Sequence, residues 1–296
     1  MAGYGIVDEI KDSFKHGSML TRLIYANLAV FLAVKLVDVF YLLFALGDAN
    51  FIVEWLEVPA QLSQIALHPW TPLTYMFLHQ EFLHILFNLL WFYWFGKIFL
   101  EYLSGKQLLG VYLLGGLFGG ALYILSFNVF PAFRDVVPVS YALGASAAVL
   151  AVVVAVAVYV PNYTVHLLFL GPVKIKYIAM VSILLDVVNF DQGNYGGHIA
   201  HIGGAFFGYL FTMQLKSGTD MSKGLSKLID AITSIFKRKR KLKVTYRRGE
   251  TDLEYNARKK TNQQEIDVIL EKIAQSGYES LSARDKEILF RQSRNN

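Results

Sequence analysis

Long apolar stretches separated by short polar segments dominate residues 23–215 of this 296-residue chain. A helix needs about 20 mostly apolar residues to cross the hydrocarbon layer of a bilayer. Six stretches reach or approach that length, namely 23–46, 82–103, 107–127, 142–160, 173–188 and 198–215. The pattern therefore predicts an all-α membrane protein with six transmembrane helices.

Three of these stretches need individual interpretation. The stretch 142–160 is rich in Val and Ala, which favour strands, but it is long and has no turn signal, so we interpret it as a helix. The stretch 173–188 starts just after Gly171-Pro172 and contains Lys174 and Lys176, which makes it the least regular of the six. The stretch 23–46 is too long for a cleaved signal peptide and lacks a small-residue cleavage site.

The pattern changes after residue 215. Leu225, Leu228, Ile229 and Ile232 share one helical face, and six of the seven residues in 237–243 are basic. An amphipathic basic helix next to a membrane span is typical of a segment that lies on the anionic inner leaflet.

The chain ends with two shorter helical patterns. Thr261 with Gln264 forms a capping-box pattern before an apolar repeat, and Gly277 ends that repeat. Ser282 with Asp285 caps a second helix. We therefore predict three parts: a cytoplasmic N-terminal segment (1–20), a six-span membrane domain (21–216), and a cytoplasmic extension with a basic amphipathic helix and a helical hairpin (217–296).

Composition agrees with a membrane location. Apolar and aromatic residues make up 54% of the chain and charged residues only 17%, whereas soluble domains average about 45 to 50% and 25%. The chain contains no Cys, which excludes disulfide scaffolds, thiolate metal sites and cysteine nucleophiles.

Charge predicts the orientation of the spans. Residues 1–215 carry a net charge of −3 and residues 216–296 a net charge of +8. The segment 47–81 has four acidic residues and no Lys or Arg. The remaining outer loops contain one basic residue, Arg134. Because basic residues stay inside, both termini are predicted to be cytoplasmic. The basic tail is expected to face lipid, and no nucleic-acid partner is expected.

In this orientation three spans begin at the outer face, and each carries polar residues near its start. These residues are His84 and Asn88 in the second span, Ser146 in the fourth, and His198 and His201 in the sixth. Each alone has an ordinary structural explanation, as an interhelical hydrogen bond or a bond back to its own helix. Their convergence at one depth favours a functional site.

The residue types favour acyl transfer. A Ser hydroxyl becomes a nucleophile when an imidazole accepts its proton, and we find no nearby carboxylate for a third group, so we predict a Ser-His dyad. Ser146 lies in the first turn of its span, where free N–H groups can stabilise an oxyanion. The chain has neither the His-Glu-x-x-His motif of zinc proteases nor paired intramembrane aspartates.

These residues resemble the rhomboid family of intramembrane serine proteases, in particular bacterial members with a C-terminal extension. The similarity lies in Trp70 and in the runs 73–79 (LTYMFLH), 84–88 (HILFN), 144–146 (GAS) and 200–204 (AHIGG), followed by Gly208. The resemblance implies a six-helix bundle over about residues 20–216. It further implies that Ser146 is the nucleophile, that His201 is the general base, and that His84, Asn88 and the Gly144 and Ser146 backbone form the oxyanion region.

The chain departs from the family pattern at two informative positions. Thr71 follows Trp70 where many members carry Arg, and Leu150 stands where many members place an aromatic ring against the catalytic His. Neither change removes a reacting group.

The resemblance implies a serine endopeptidase that cleaves transmembrane segments of other membrane proteins, in the cytoplasmic membrane of a bacterium, without cofactor or metal. One alternative is an inactive rhomboid-like protein that binds membrane clients. A second alternative takes His84, His198 and His201 as haem or metal ligands.

Overall fold

The computed structural model describes residues 5–47, 50–167, 171–190, 193–236 and 251–293. The chain divides into two compact units, 1–237 and 238–296. The three-part division predicted from the sequence, with boundaries after residues 20 and 216, stays a prediction.

Helices form most of the first unit. In chain order they are α1 (Ile6–His16), α2 (Met19–Leu43), α3 (Phe51–Leu56), α4 (Leu62–Leu67), α5 (Thr71–Thr74), α6 (Phe82–Tyr102), α7 (Gly105–Val129), α8 (Ser146–Tyr159), α9 (Ile175–Val188), α10 (Tyr195–Lys216) and α11 (Ser222–Phe236). Each of the six predicted spans overlaps one of these helices.

Among the described residues, three helices, α2, α6 and α7, are long and apolar enough to cross a membrane, and α8 is a shorter apolar helix. The predicted number of six spans stays a prediction. The predicted class, an all-α membrane bundle, is confirmed. The predicted start of the fourth span at residue 142 is wrong. Tyr141–Ala142 (β2) pairs antiparallel with Val58–Pro59 (β1), and Gly144 has a φ of +122°, so the helix begins only at Ser146.

A second antiparallel pair joins Thr164–Leu167 (β3) to Gly171–Lys174 (β4). The sequence did not predict this pair. Its signals are short: Thr164 and Val165 are β-branched, exposed and partly buried residues alternate along both strands, and Gly171 has a φ of +70°. The pair ends where α9 begins, which explains why α9 has only 14 residues.

Helix α8 forms the centre of the bundle, and residues 147–157 of it are all buried. It packs between α7 and α10 through residues with little or no side chain. A Cβ on Gly204 would lie 2.1 Å from the Ala147 carbonyl oxygen, and a Cβ on Gly208 would lie 2.2 Å from that of Ala151. The α8 and α10 backbones are therefore in direct contact, as small residues permit in membrane bundles.

The segment between α2 and α6 is partly helical. It contains α3, α4, α5 and a 3₁₀ turn, Tyr75–Phe77. The Trp70 indole N–H donates to the Trp55 carbonyl oxygen at 2.8 Å, which ties α5 to α3. The Tyr75 hydroxyl donates to the Gly116 carbonyl at 2.6 Å, and the Tyr112 hydroxyl donates to the Met76 carbonyl at 3.0 Å. The 3₁₀ turn is thus anchored to α7.

Helix α11 packs against the start of α7. A Cβ on Gly110 would lie 2.4 Å from Cβ of Ser222, and the exposed Lys106 and Asp230 side chains form an ion pair at 2.7 Å. The predicted contact of this helix with an inner leaflet stays a prediction. The basic run 237–243 lies outside the described residues.

The second unit contains α12 (Asp252–Ser276), a 3₁₀ turn (Tyr278–Ser280) and α13 (Ala283–Ser293). The predicted capping box at Thr261 is wrong. The helix starts earlier, where Thr251 and Glu254 form the box, and Thr261 donates to the Ala257 carbonyl inside it. The predicted stop at Gly277 and the reciprocal bonds of Ser282 and Asp285 are confirmed.

Candidate active site

Ser146 and His201 face each other across the contact between α8 and α10. Ser146 is the first residue of α8, and His201 lies in the second turn of α10. The Ser146 Oγ is 2.6 Å from the His201 Nε2. This distance allows direct proton transfer from the hydroxyl to the imidazole.

The backbone contact that brings this pair together lies next to it in the sequence. Gly204 follows His201 by one helical turn and fits against Ala147, the residue after the serine. On the other side of α10, a Cβ on Gly203 would lie 2.9 Å from the Gly119 Cα of α7. Side chains at either glycine would push α10 away from its neighbours.

Two hydrogen bonds fix the turn before Ser146. The Gly144 N–H donates to the Tyr75 carbonyl at 3.0 Å, and the Ala145 N–H donates to the His79 Nε2 at 3.3 Å. Burial, and after it the neighbouring imidazole of His84, lowers the pKa of His79 to about 4. His79 is therefore neutral near pH 7, as an acceptor at Nε2 must be. His79 is the last residue of the run 73–79, and the sequence alone indicates no role for it.

The predicted oxyanion residues lie around the same turn. A Cβ on Gly144 would lie 2.8 Å from the His84 Cε1, so the glycine gives the imidazole room to approach. The Asn88 amide donates one N–H to the His84 carbonyl at 2.9 Å. Because the Gly144 N–H is already bonded to Tyr75, the geometry does not support Gly144 as an oxyanion donor. The Ser146 N–H, in contrast, has no acceptor among the described residues.

A carboxylate that we did not expect adjoins His201. The Asp186 Oδ1 on α9 lies 2.7 Å from the His201 Nδ1 and 2.9 Å from the His198 Nδ1. Our prediction that no carboxylate lies near the Ser-His pair is therefore wrong. Asp186 is 15 residues before His201 on a separate helix, and the sequence does not show which face of α9 is turned toward α10.

A cavity of about 470 Å³ opens beside these groups. It is lined mainly by apolar side chains, among them Leu150. The polar groups at its wall include Ser146, His201, His84, Asn88 and Asp186. Apolar walls with a few convergent polar groups are typical of ligand sites. The cavity thus brings together side chains from α6, α8, α9 and α10.

Three side chains have the composition of a metal site. The ligand atoms of Asp186, His198 and His201 all lie within 4.8 Å of one another. The set differs from the metal ligands considered from the sequence, because Asp186 takes the place of His84. Both Nδ1 atoms are bonded to the carboxylate, so a metal ion bound between them would replace these hydrogen bonds.

Comparison with known proteins gives two family matches. The model of the rhomboid domain matches residues 66–217, and that of a family of unknown function (DUF6576) matches residues 250–295. No curated protein matches the chain. The rhomboid match covers more than half of the chain and includes the Ser146–His201 pair and the cavity beside it. The chain therefore belongs to the rhomboid family.

Proposed function

We propose that the protein is an intramembrane serine endopeptidase. The observation that carries this proposal is the 2.6 Å contact between the Ser146 Oγ and the His201 Nε2. The pair lies at the edge of a cavity that is large enough for several side chains of a substrate. Rhomboid proteins are mostly intramembrane serine proteases.

The chemistry follows from the groups present. His201 takes the Ser146 proton as the oxygen attacks the carbonyl carbon of the scissile peptide bond, and a tetrahedral intermediate forms. His201 then gives the proton to the leaving amine. A water molecule hydrolyses the acyl-enzyme by the same steps in reverse order, and Ser146 is released.

The developing oxyanion needs hydrogen-bond donors beside Ser146. The Ser146 N–H at the positive end of α8, which has no acceptor in the part of the chain that the structure describes, is one. Asn88 keeps a second amide N–H beyond the one bound to His84, and the His84 ring adjoins Gly144. We assign these three groups to the oxyanion.

Transmembrane segments of other membrane proteins are the proposed substrates. The cavity walls are mainly apolar, which suits an apolar segment. Such a segment must unwind locally, since a helical peptide bond is shielded by its own hydrogen bonds. We place both termini in the cytoplasm and the site near the outer face of a bacterial cytoplasmic membrane, with the basic tail at the anionic inner leaflet.

Cleavage assays in liposomes test the proposal. The wild-type protein, Ser146→Ala, and a matched control, Ser126→Ala, are incubated with a panel of model transmembrane substrates. Ser126 is a buried serine on α7 that does not line the cavity. We expect cleavage by the wild type and by the control, and none by Ser146→Ala. Cleavage by Ser146→Ala at the wild-type rate contradicts the proposal, and binding of substrates without cleavage favours the inactive, client-binding alternative.

A further inference from the structure

We propose that Asp186 is the positioning residue of the general base, so that the site works as a Ser-His-Asp arrangement instead of a dyad. This inference rests on the proposed function. The carboxylate acts on substrate only through the imidazole of His201, which it holds in one orientation and one tautomer.

The two ring nitrogens of His201 have different tasks in the proposed reaction. The His201 Nε2 must be unprotonated to accept the Ser146 proton, so the ring proton of neutral His201 must sit on Nδ1. An ionised carboxylate only accepts hydrogen bonds. Asp186, 2.7 Å from Nδ1, therefore selects the tautomer that leaves Nε2 free for the serine.

The same carboxylate stabilises the charge that forms during the reaction. When Nε2 takes the serine proton, the imidazole becomes a cation next to Asp186. The exposed fraction of the side chain is 12% for Asp186 and 22% for His201. Little water separates the two charges, so their attraction is stronger than that of a surface ion pair.

His198 holds the carboxylate in place. Its Nδ1 lies 2.9 Å from the same Asp186 oxygen, and its side chain is only 17% exposed. The His198 and His201 rings are nearly perpendicular, with centroids 6.1 Å apart. Among the described residues, no Lys or Arg pairs with Asp186, so its charge is directed at the two imidazoles.

Leu150 explains why such a residue is needed here. Leu150 lines the cavity beside His201, and an aliphatic side chain gives an imidazole neither a stacking surface nor a hydrogen bond. The hydrogen bond at Nδ1 then supplies orientation that the side chain at position 150 does not. The remaining titratable groups at the cavity, Glu81 and His84, belong to the α6 side.

Kinetics of full-length variants in liposomes test the role of Asp186. In Asp186→Asn the amide can donate to Nδ1 and favour the wrong tautomer, so we expect kcat to fall between about 10²- and 10⁴-fold with KM within about threefold. Asp186→Glu keeps the acceptor and is expected to recover part of kcat. The matched control, Asn189→Ala, removes a hydrogen bond to the Leu185 carbonyl at the end of the same helix and is expected to stay within about threefold of the wild type.

Equal kcat in Asp186→Asn and the wild type overturns the inference while the proposed protease function stands. A comparable loss in Asn189→Ala also overturns it, because disturbing the end of α9 then suffices. Absence of cleavage by the wild type, in contrast, counts against the protease function itself.

A spectroscopic readout is independent of activity. In protein with ¹⁵N-labelled histidine, we expect the His201 signals of the wild type to report a proton on Nδ1, and those of Asp186→Asn to shift toward a proton on Nε2. Unchanged signals overturn the inference. Stoichiometric metal in the purified wild type that is lost in Asp186→Asn also overturns it, because the three side chains then form a metal site.

Discussion

Helix α10 carries His201 and helix α9 carries Asp186, which bonds to the His201 ring. The two helices differ in how they pack against the rest of the bundle. Helix α10 is fixed by backbone contacts, with Gly204 against Ala147 and Gly208 against Ala151. Helix α9 has only two buried side chains, Ile175 and Ala179, both in its first half, and exposes large apolar residues along the rest. Its end is tied to α10 by the hydrogen bonds of Asp186.

The two helices therefore contribute differently to the site. Ser146 and His201, the proposed nucleophile and base, lie on two helices whose backbones are in direct contact, so their separation is set by packing that tolerates no added atoms. The carboxylate reaches His201 from a helix that buries few of its side chains in the bundle. We therefore expect activity to be much more sensitive to small changes in packing on α10 than to small changes in packing on α9.

Among changes that alter only packing, the largest expected effect comes from adding one methyl group to α10. In Gly204→Ala the new Cβ would lie 2.1 Å from the Ala147 carbonyl oxygen, so α10 must move away from α8. A displacement of about 1 Å at the Ser146–His201 pair costs roughly 100-fold in rate, and overpacking costs about 1–3 kcal/mol of unfolding free energy. Cleavage kinetics and thermal unfolding in detergent measure both.

The matched control for this change is Gly224→Ala. Gly224 lies on α11, and a Cβ there would meet no atom within 4 Å. We expect unchanged cleavage and an unfolding free energy that is equal or up to about 1 kcal/mol higher. If Gly204→Ala behaves like this control, α8 and α10 are not fixed by backbone contact.

A second prediction concerns how the unfolding free energy depends on pH, because His79 supports the α8 side of the site. Its folded pKa of about 4 is below its ordinary value of 6.5, so the unfolded chain binds the proton first. The stability that neutral His79 contributes is therefore lost as the pH falls from 6.5 toward 4. Between pH 7 and pH 5 we expect it to remove about 2 kcal/mol from the unfolding free energy.

His79→Gln isolates this contribution, since Gln can also accept the Ala145 N–H but does not titrate. The comparison is made at each pH because Glu57 acts in the opposite direction. Burial, together with the nearby Glu54, raises the pKa of Glu57 to about 7, so its contribution is lost as the pH rises from 4.5 to 7. A gap between wild type and His79→Gln that stays constant between pH 5 and 7 rules out a neutral, buried His79.

The smallest expected effect lies on α9. Leu184 is 58% exposed, and its truncation in Leu184→Ala removes little packing within the protein. We expect kcat within about threefold of the wild type and a change in unfolding free energy below about 0.5 kcal/mol. A loss as large as that of Gly204→Ala contradicts the contrast between the two helices.

The sequence predicted the parts of the fold and site that depend on long, regular signals. The apolar stretches gave the positions of the main helices, and the polar residues at their starts led to Ser146 and His201. The helix positions and the proximity of Ser146 to His201 could be predicted because helix length and the cost of burying polar groups in a membrane are strong constraints.

The sequence could not predict features that depend on how helices rotate and approach. Asp186 is one intramembrane acid among apolar residues, and only the rotation of α9 turns it toward His201. The predicted start of α8 is wrong because residues 141–142 pair with a short strand that no local pattern marks. Thr261 was misinterpreted because a second cap, Thr251, lies upstream of it on the same helix.

Labelling with a fluorophosphonate, followed by mass spectrometry of the peptides, tests the central claim most directly. The reagent reacts covalently with a serine that a base has activated, and the 2.6 Å contact places that activation on Ser146. We predict a single adduct on Ser146 in the wild-type protein and none on Ser146 in His201→Ala. Equal labelling of Ser146 in His201→Ala, or no labelling of Ser146 in a folded wild-type protein, would contradict the claim that the pair is a catalytic unit.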